Sequence, residues 1–175
     1  PGWNSYSGDP EIEQKVDSVL NLMTLEEKIG QMNQYSGNFA TTGELADTRS
    51  GEYLRKGMIG STFNTFGADH IRMLQEQNLK HSRLNIPMLF AADVIHGLET
   101  TFPIPMAEAC SWDLELIERT ARIAAEEATA SGVAWNFAPM IDISRDPRWG
   151  RVMEGAGEDP FLGALVARAR VKGFQ

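Results

Sequence analysis

The chain has 175 residues, 42% hydrophobic and 23% charged, the balance of a globular domain with enough length for one sizeable core. Its net charge is −8 and its basic residues form no run, which argues against nucleic acid or an anionic membrane surface as partner and suits a neutral or weakly charged ligand. The lone cysteine, Cys110, excludes an internal disulfide framework and any multi-cysteine metal site, and no apolar run approaches the ~20 residues of a membrane span.

Residues 1–8 are rich in Gly and Ser, and an order imposed only by docking is expected there. The first residue is Pro1 rather than Met, which reads as the start of a processed or trimmed chain. Asp9-Pro10 opens a helix, with an N-cap followed by proline at the first helical position. Ile12, Val16, Val19, Leu20 and Met23 follow at amphipathic spacing. Thr24 and Glu27 fit a capping box, so a second helix starts at once and is expected to carry Ile29 and Met32 inward. Residues 36–52, rich in Gly, Thr, Ser and Asp, read as a loop.

From residue 57 the pattern changes. Gly57 to Phe63 reads as a short buried strand, and residues 68–84, free of Gly and Pro, as a helix. Pro87 to Ala92 is an apolar run that ends abruptly in Asp93, and a loop holding Pro103 and Pro105 follows. Residues 113–131 form a helix with Ile117, Ala121, Ala124 and Ala128 on one face, ended by Gly132. Val133 to Ile143 is a third apolar run, and a charged loop over 144–159 leads to a last helix from Pro160. Met23, Met32, Met58 and Met88 read as core filler. Strands alternating with helices, apolar in runs rather than in alternation, imply parallel strands in an α/β fold. A doubly wound sheet and a TIM-type barrel both satisfy this order. A barrel takes about eight such units and ~250 residues; about three βα units after two N-terminal helices are legible here, so the chain reads as part of a barrel if it is one.

Two constellations carry chemistry. Ala92-Asp93-Val94-Ile95-His96-Gly97 places a carboxylate at a strand end, where parallel α/β folds meet their ligands. An ionised carboxylate is acceptor-only with two oxygens, which suits neighbouring sugar hydroxyls; the alternative is a carboxylate that caps the turn. In 142–159, three arginines (145, 148, 151) and five carboxylates (142, 146, 154, 158, 159) share 18 residues. Most of them are explained by mutual ion pairing that stiffens a long loop. One or two facing the pocket would suffice for binding, since an arginine fork donates to two hydroxyls and Trp149 offers an apolar face. His70 and His81 are expected to be solvated, and His96 has no His or Cys at metal-ligand spacing, so no metal is expected. No P-loop, GxGxxG or GxSxG is present.

These residues resemble glycoside hydrolase family 3. Met23 to Gln31 is similar to that family's opening helix, and Ala92 to Gly97 with Phe102-Pro103-Ile104-Pro105 resembles its first sugar-contact loop. Ala138 to Arg151, with Gly157-Glu158-Asp159-Pro160 beyond, is the most specific match. The resemblance runs from about residue 10 to the end and is nearest to periplasmic β-glucosidases of Gram-negative bacteria. It implies that residues 1–175 are the N-terminal portion of a (β/α)8 barrel domain, followed in whole enzymes by an α/β sandwich domain. It implies retaining, exo-acting hydrolysis of a terminal β-D-glucosyl residue without a cofactor, with a β-glucoside or β-linked oligosaccharide as ligand and a periplasmic or secreted location. Asp93 and Arg151 are then expected to bind the sugar, with Glu154 and His96 behind them. The family's Lys-His pair, nucleophile and acid/base have no counterpart in these 175 residues; no catalytic residue is expected here, and the isolated chain is expected to be inactive. A β-xylosidase or β-N-acetylhexosaminidase of the same family, or a non-catalytic sugar-binding domain, are the rival readings.

Overall fold

The structure, a computed structural model, describes residues 9–36 and 49–175. The expectation for residues 1–8 and most of the loop expected over 36–52 lie outside them. Helix α1 (Pro10–Leu22) starts where Asp9 accepts from the Glu11 amide at 2.9 Å. Helix α2 (Leu25–Met32) starts on a complete capping box: the Thr24 hydroxyl accepts from the Glu27 amide and Glu27 accepts from the Thr24 amide. The faces differ from expectation. Ile29 is exposed, Met32 is 85% exposed, and the apolar stripe of α1 is exposed as well. The buried residue of α2 is Gly30, whose missing side chain lets the helix backbone lie against Met58; a Cβ there would sit 2.7 Å from the Met58 Cα. Glu27 also forks onto Arg83 at 2.9 and 2.6 Å, tying α2 to the turn after the fourth helix. Of the four methionines expected in the core, Met88 is buried and Met23 and Met58 are half-buried.

Four short parallel strands follow: β1 (Gln34–Ser36), β2 (Ser61–Phe63), β3 (Leu89–Ala92) and β4 (Trp135–Asn136). The sequence pattern shows three; β1 has three residues, too few for any periodicity to register. The expected runs 57–63 and 133–143 shorten to their paired residues. Between the strands lie α3 (Arg49–Arg55), α4 (Ala68–His81), α5 (Pro105–Ala109) and α6 (Leu114–Ala130), and α7 (Pro160–Phe174) comes last. Helix α3 occupies the end of the expected loop, and α5 begins at Pro105, where proline lacks only an amide the first turn does not need.

Two observations decide between the sheet types. The strand order is β1-β2-β3-β4, each beside its predecessor, with no reversal. Doubly wound sheets reverse direction at a switch point; barrels do not. The helices also pack on one face. Leu54 of α3 and Ile71 and Leu74 of α4 cluster with Met88 and Phe90, and Ala124 and Ala128 of α6 cluster with Ala92 and Val133. The other face keeps Leu89 51% and Trp135 42% exposed. A one-sided, singly wound parallel sheet is the arrangement of a partial (β/α)8-type barrel.

Candidate functional site

The loops after β3 and β4 leave the same end of the sheet, because parallel strands share a direction. Between them is a cleft of about 500 Å³ lined by Gln34, Phe63, Asp93, Phe137, Asp142, Arg151 and Glu154, among others. Asp93, Arg151 and Glu154 of the expected site residues meet there. His96 does not line it. Its Nδ1 lies 3.1 Å from the Phe102 carbonyl, to which an Nδ1–H donates, and the Phe102 amide donates to the His96 carbonyl at 2.8 Å. His96 therefore closes the 96–102 loop on itself. Gly97 (φ +107°) permits that closure, since a Cβ would fall 1.8 Å from the Thr100 carbonyl oxygen. Glu127 of α6 clamps the loop from outside, accepting from the Glu99 and Thr100 amides and the Thr100 hydroxyl at 2.6–2.9 Å.

Asn136, at the end of β4, joins the two walls. Its Oδ1 accepts from the Val94 amide at 3.0 Å and the Ala138 amide at 3.1 Å, so the residue after Asp93 and the start of the arginine loop share one acceptor. The arginine loop then folds on its own charges. Arg148 forks onto Asp146 well out in solvent, which is the ion-pairing role expected for most of this segment. Arg151 precedes a 3-10 turn, Val152–Glu154. Its Nε and Nη2 donate to the two Glu154 oxygens at 2.8 and 2.6 Å. That side-on pairing leaves Nη1 without a hydrogen-bond partner among the described residues. The arginine holds the Glu154 carboxyl below the usual carboxylate range, so Glu154 stays ionised and keeps its grip. Glu154, Asp93 and Asp142 together push the Arg151 guanidinium further toward its charged form.

Phe63 and Phe137 form an aromatic wall of the cleft, with ring centroids 5.7 Å apart, and Trp135 packs against Phe137 at 4.8 Å without lining the cleft itself. Sequence reading did not single out Asp142, Gln34 or this wall. Asp142 is the one charged residue inside the apolar run Val133 to Ile143, a signal that was present; Gln34 is brought in only by the unrecognised β1. His70 also departs from expectation: both ring nitrogens are buried without a hydrogen-bond partner among the described residues, whereas His81 is exposed. Among the described residues no group of three or more His, Cys, Asp or Glu is placed to hold a metal, and no helix is long and apolar enough to cross a membrane.

Fold and cleft define a barrel-type α/β domain with carboxylates, an arginine and aromatic side chains gathered at the carboxyl ends of its strands. Residues 24–175 match the glycosyl hydrolase family 3 N terminal domain, and the chain belongs to that family. It is 41% identical over 160 residues to a periplasmic β-glucosidase of Salmonella typhimurium, an alignment covering 91% of this chain and 20% of that protein. It is 30% identical over 180 residues to a putative β-xylosidase of Formosa agariphila, covering 94% of this chain and 24% of that one. The β-glucosidase of Listeria innocua, solved in complex with glucose, superimposes with a TM-score of 0.82 at 42% identity, over 93% of this chain and 24% of its own. The chain thus spans about a fifth to a quarter of the length of these relatives.

Proposed function

We propose that the whole protein is a retaining, exo-acting β-glucosidase and that residues 1–175 are the N-terminal portion of its barrel domain, contributing part of the glucosyl subsite. The observation that carries this reading is the meeting of Asp93 and Arg151 in one cleft at the strand ends. Asp93 accepts hydrogen bonds from two adjacent sugar hydroxyls. Arg151, aligned by Glu154, donates from its free Nη1 to the same ring. Phe63 and Phe137 give the apolar face of the sugar a surface to rest on. Retaining hydrolysis needs two carboxyl groups roughly 5–5.5 Å apart, a nucleophile and an acid/base. Both come from parts of the enzyme other than these residues, so Asp93, Asp142 and Glu154 bind and align rather than attack. The reaction uses no cofactor. A periplasmic or secreted location fits the Salmonella relative.

A β-xylosidase is the second reading, favoured by the Formosa relative. A xyloside lacks the C6 hydroxymethyl group, so the comparison of kcat/KM on aryl β-glucoside and aryl β-xyloside separates the two. Higher efficiency on the glucoside supports the proposal; the reverse preference replaces it, and no release from either rejects both.

A further inference from the structure

We propose that Arg170 and Glu108 are positioning residues that set Asp93 against Arg151 across the cleft; this rests on the reading of that cleft as a glucosyl subsite. Arg170 lies on α7 and Glu108 on α5, and they are 3% and 6% exposed. One guanidinium serves two tasks. Its Nη2 pairs with Glu108 Oε2, and its Nη1 donates at 2.6 Å to the carbonyl of Ile95, two residues after Asp93. Ile95 itself lines the cleft. With the Val94 amide held by Asn136 from the β4 side, the backbone next to Asp93 is gripped from both directions.

The other end of the pair reaches the opposite wall. Helix α5, which carries Glu108, packs against the 3-10 turn Val152–Glu154 that holds Arg151 in place. The pair therefore bonds to one sugar-facing loop, and the helix that carries Glu108 packs on the turn that supports the other. Its own position is imposed by tight helix packing. Gly173, one turn beyond Arg170, brings α7 so close to α6 that a Cβ would lie 2.4 Å from the Glu118 carbonyl oxygen and 2.6 Å from the Ala121 Cβ. Stability is a poor reason for the pair, since a buried ion pair is commonly replaceable by apolar side chains of similar volume without loss. A fixed, charged donor to one backbone carbonyl beside the ligand is what apolar side chains do not supply.

The test uses the whole enzyme with Glu108→Met/Arg170→Met, which removes both charges together, and Arg170→Lys, which keeps the charge and loses the fork. The double variant is expected to unfold cooperatively near the wild-type temperature. Amide exchange over residues 94–97 is expected to quicken at least ~10-fold, and kcat/KM on an aryl β-glucoside to fall ~10- to 100-fold, the scale of small misplacements in a binding site. The inhibition constant for glucose should rise by a similar factor, and Arg170→Lys should fall between. A folded double variant with wild-type loop protection and wild-type kcat/KM overturns the proposal. If the double variant does not fold, wild-type values for Arg170→Lys overturn it instead. Absence of turnover in the wild-type enzyme counts against the glucosidase reading alone, because the exchange measurement still decides whether the pair anchors the loop.

Discussion

Replacing Asp93 by Asn in the whole enzyme is the sharpest perturbation of the proposed subsite. Asp93 is exposed at the carboxyl end of β3 and faces the cleft, so the exchange of one oxygen for an amide leaves packing and fold untouched. The loss falls on the ligand. A carboxylate offers two charged acceptors, whereas an asparagine offers one neutral acceptor and a donor. One sugar hydroxyl loses its partner and the other keeps a weaker one. A hydrogen bond to a charged group contributes ~1.5–3 kcal/mol, and ~1.4 kcal/mol is tenfold in rate, so kcat/KM should fall about 10- to 150-fold. The assay is initial-rate release of an aryl leaving group from a β-glucoside, with thermal unfolding as the control. An Asp93→Asn enzyme within twofold of wild type, at equal stability, would refute the assignment of Asp93 to the sugar.

Arg151→Lys should lower kcat/KM at least ~5-fold, because a single ammonium cannot grip both Glu154 oxygens and still donate to the ring; unchanged steady-state kinetics would count against the role. Arg83 and the Thr24 amide depress Glu27 to about 2 from a reference of 4.5. A depressed carboxyl stabilises the fold fully above its unfolded value, and that contribution is lost as pH falls from about 4.5 through about 2. Unfolding temperature followed across that window should drop less steeply for Glu27→Gln than for wild type. Gly60→Ala should destabilise the protein by about 2–3 kcal/mol in denaturant titration, since its Cβ would meet the Gln31 carbonyl oxygen at 1.9 Å.

Local signals read cleanly wherever the physics is local. The starts of α1, α2, α6 and α7 follow from single capping side chains, Asp9, Thr24, Asp113 and Asp159, each bonded to an amide two or three residues on. The buried face of α6 follows from Ile117, Ala121, Ala124 and Ala128 at helical spacing. Asp93 stands out because it ends an apolar run, and Arg151 only because its segment resembles a family motif; both line the cleft. What misled was burial. Ile29 and Met32 have the apolar character of core residues, yet the helix meets the body through Gly30.

The sequence by itself determined the α/β class, the family, the order of β2, β3 and β4 with α4, α6 and α7, and the carboxylate that follows β3. Only the tertiary structure decided that the sheet is singly wound, that β1 exists, and that Asp93, Asp142, Arg151 and Glu154 share one cleft. It alone shows His96 stapling its own loop, and Arg170 reaching 75 residues back along the chain to the carbonyl of Ile95. The physical reason is range. Caps, turns and periodicity act over a few residues and are written in adjacent letters, whereas pairing order and loop anchorage depend on which distant surfaces meet, and no neighbouring residue records that.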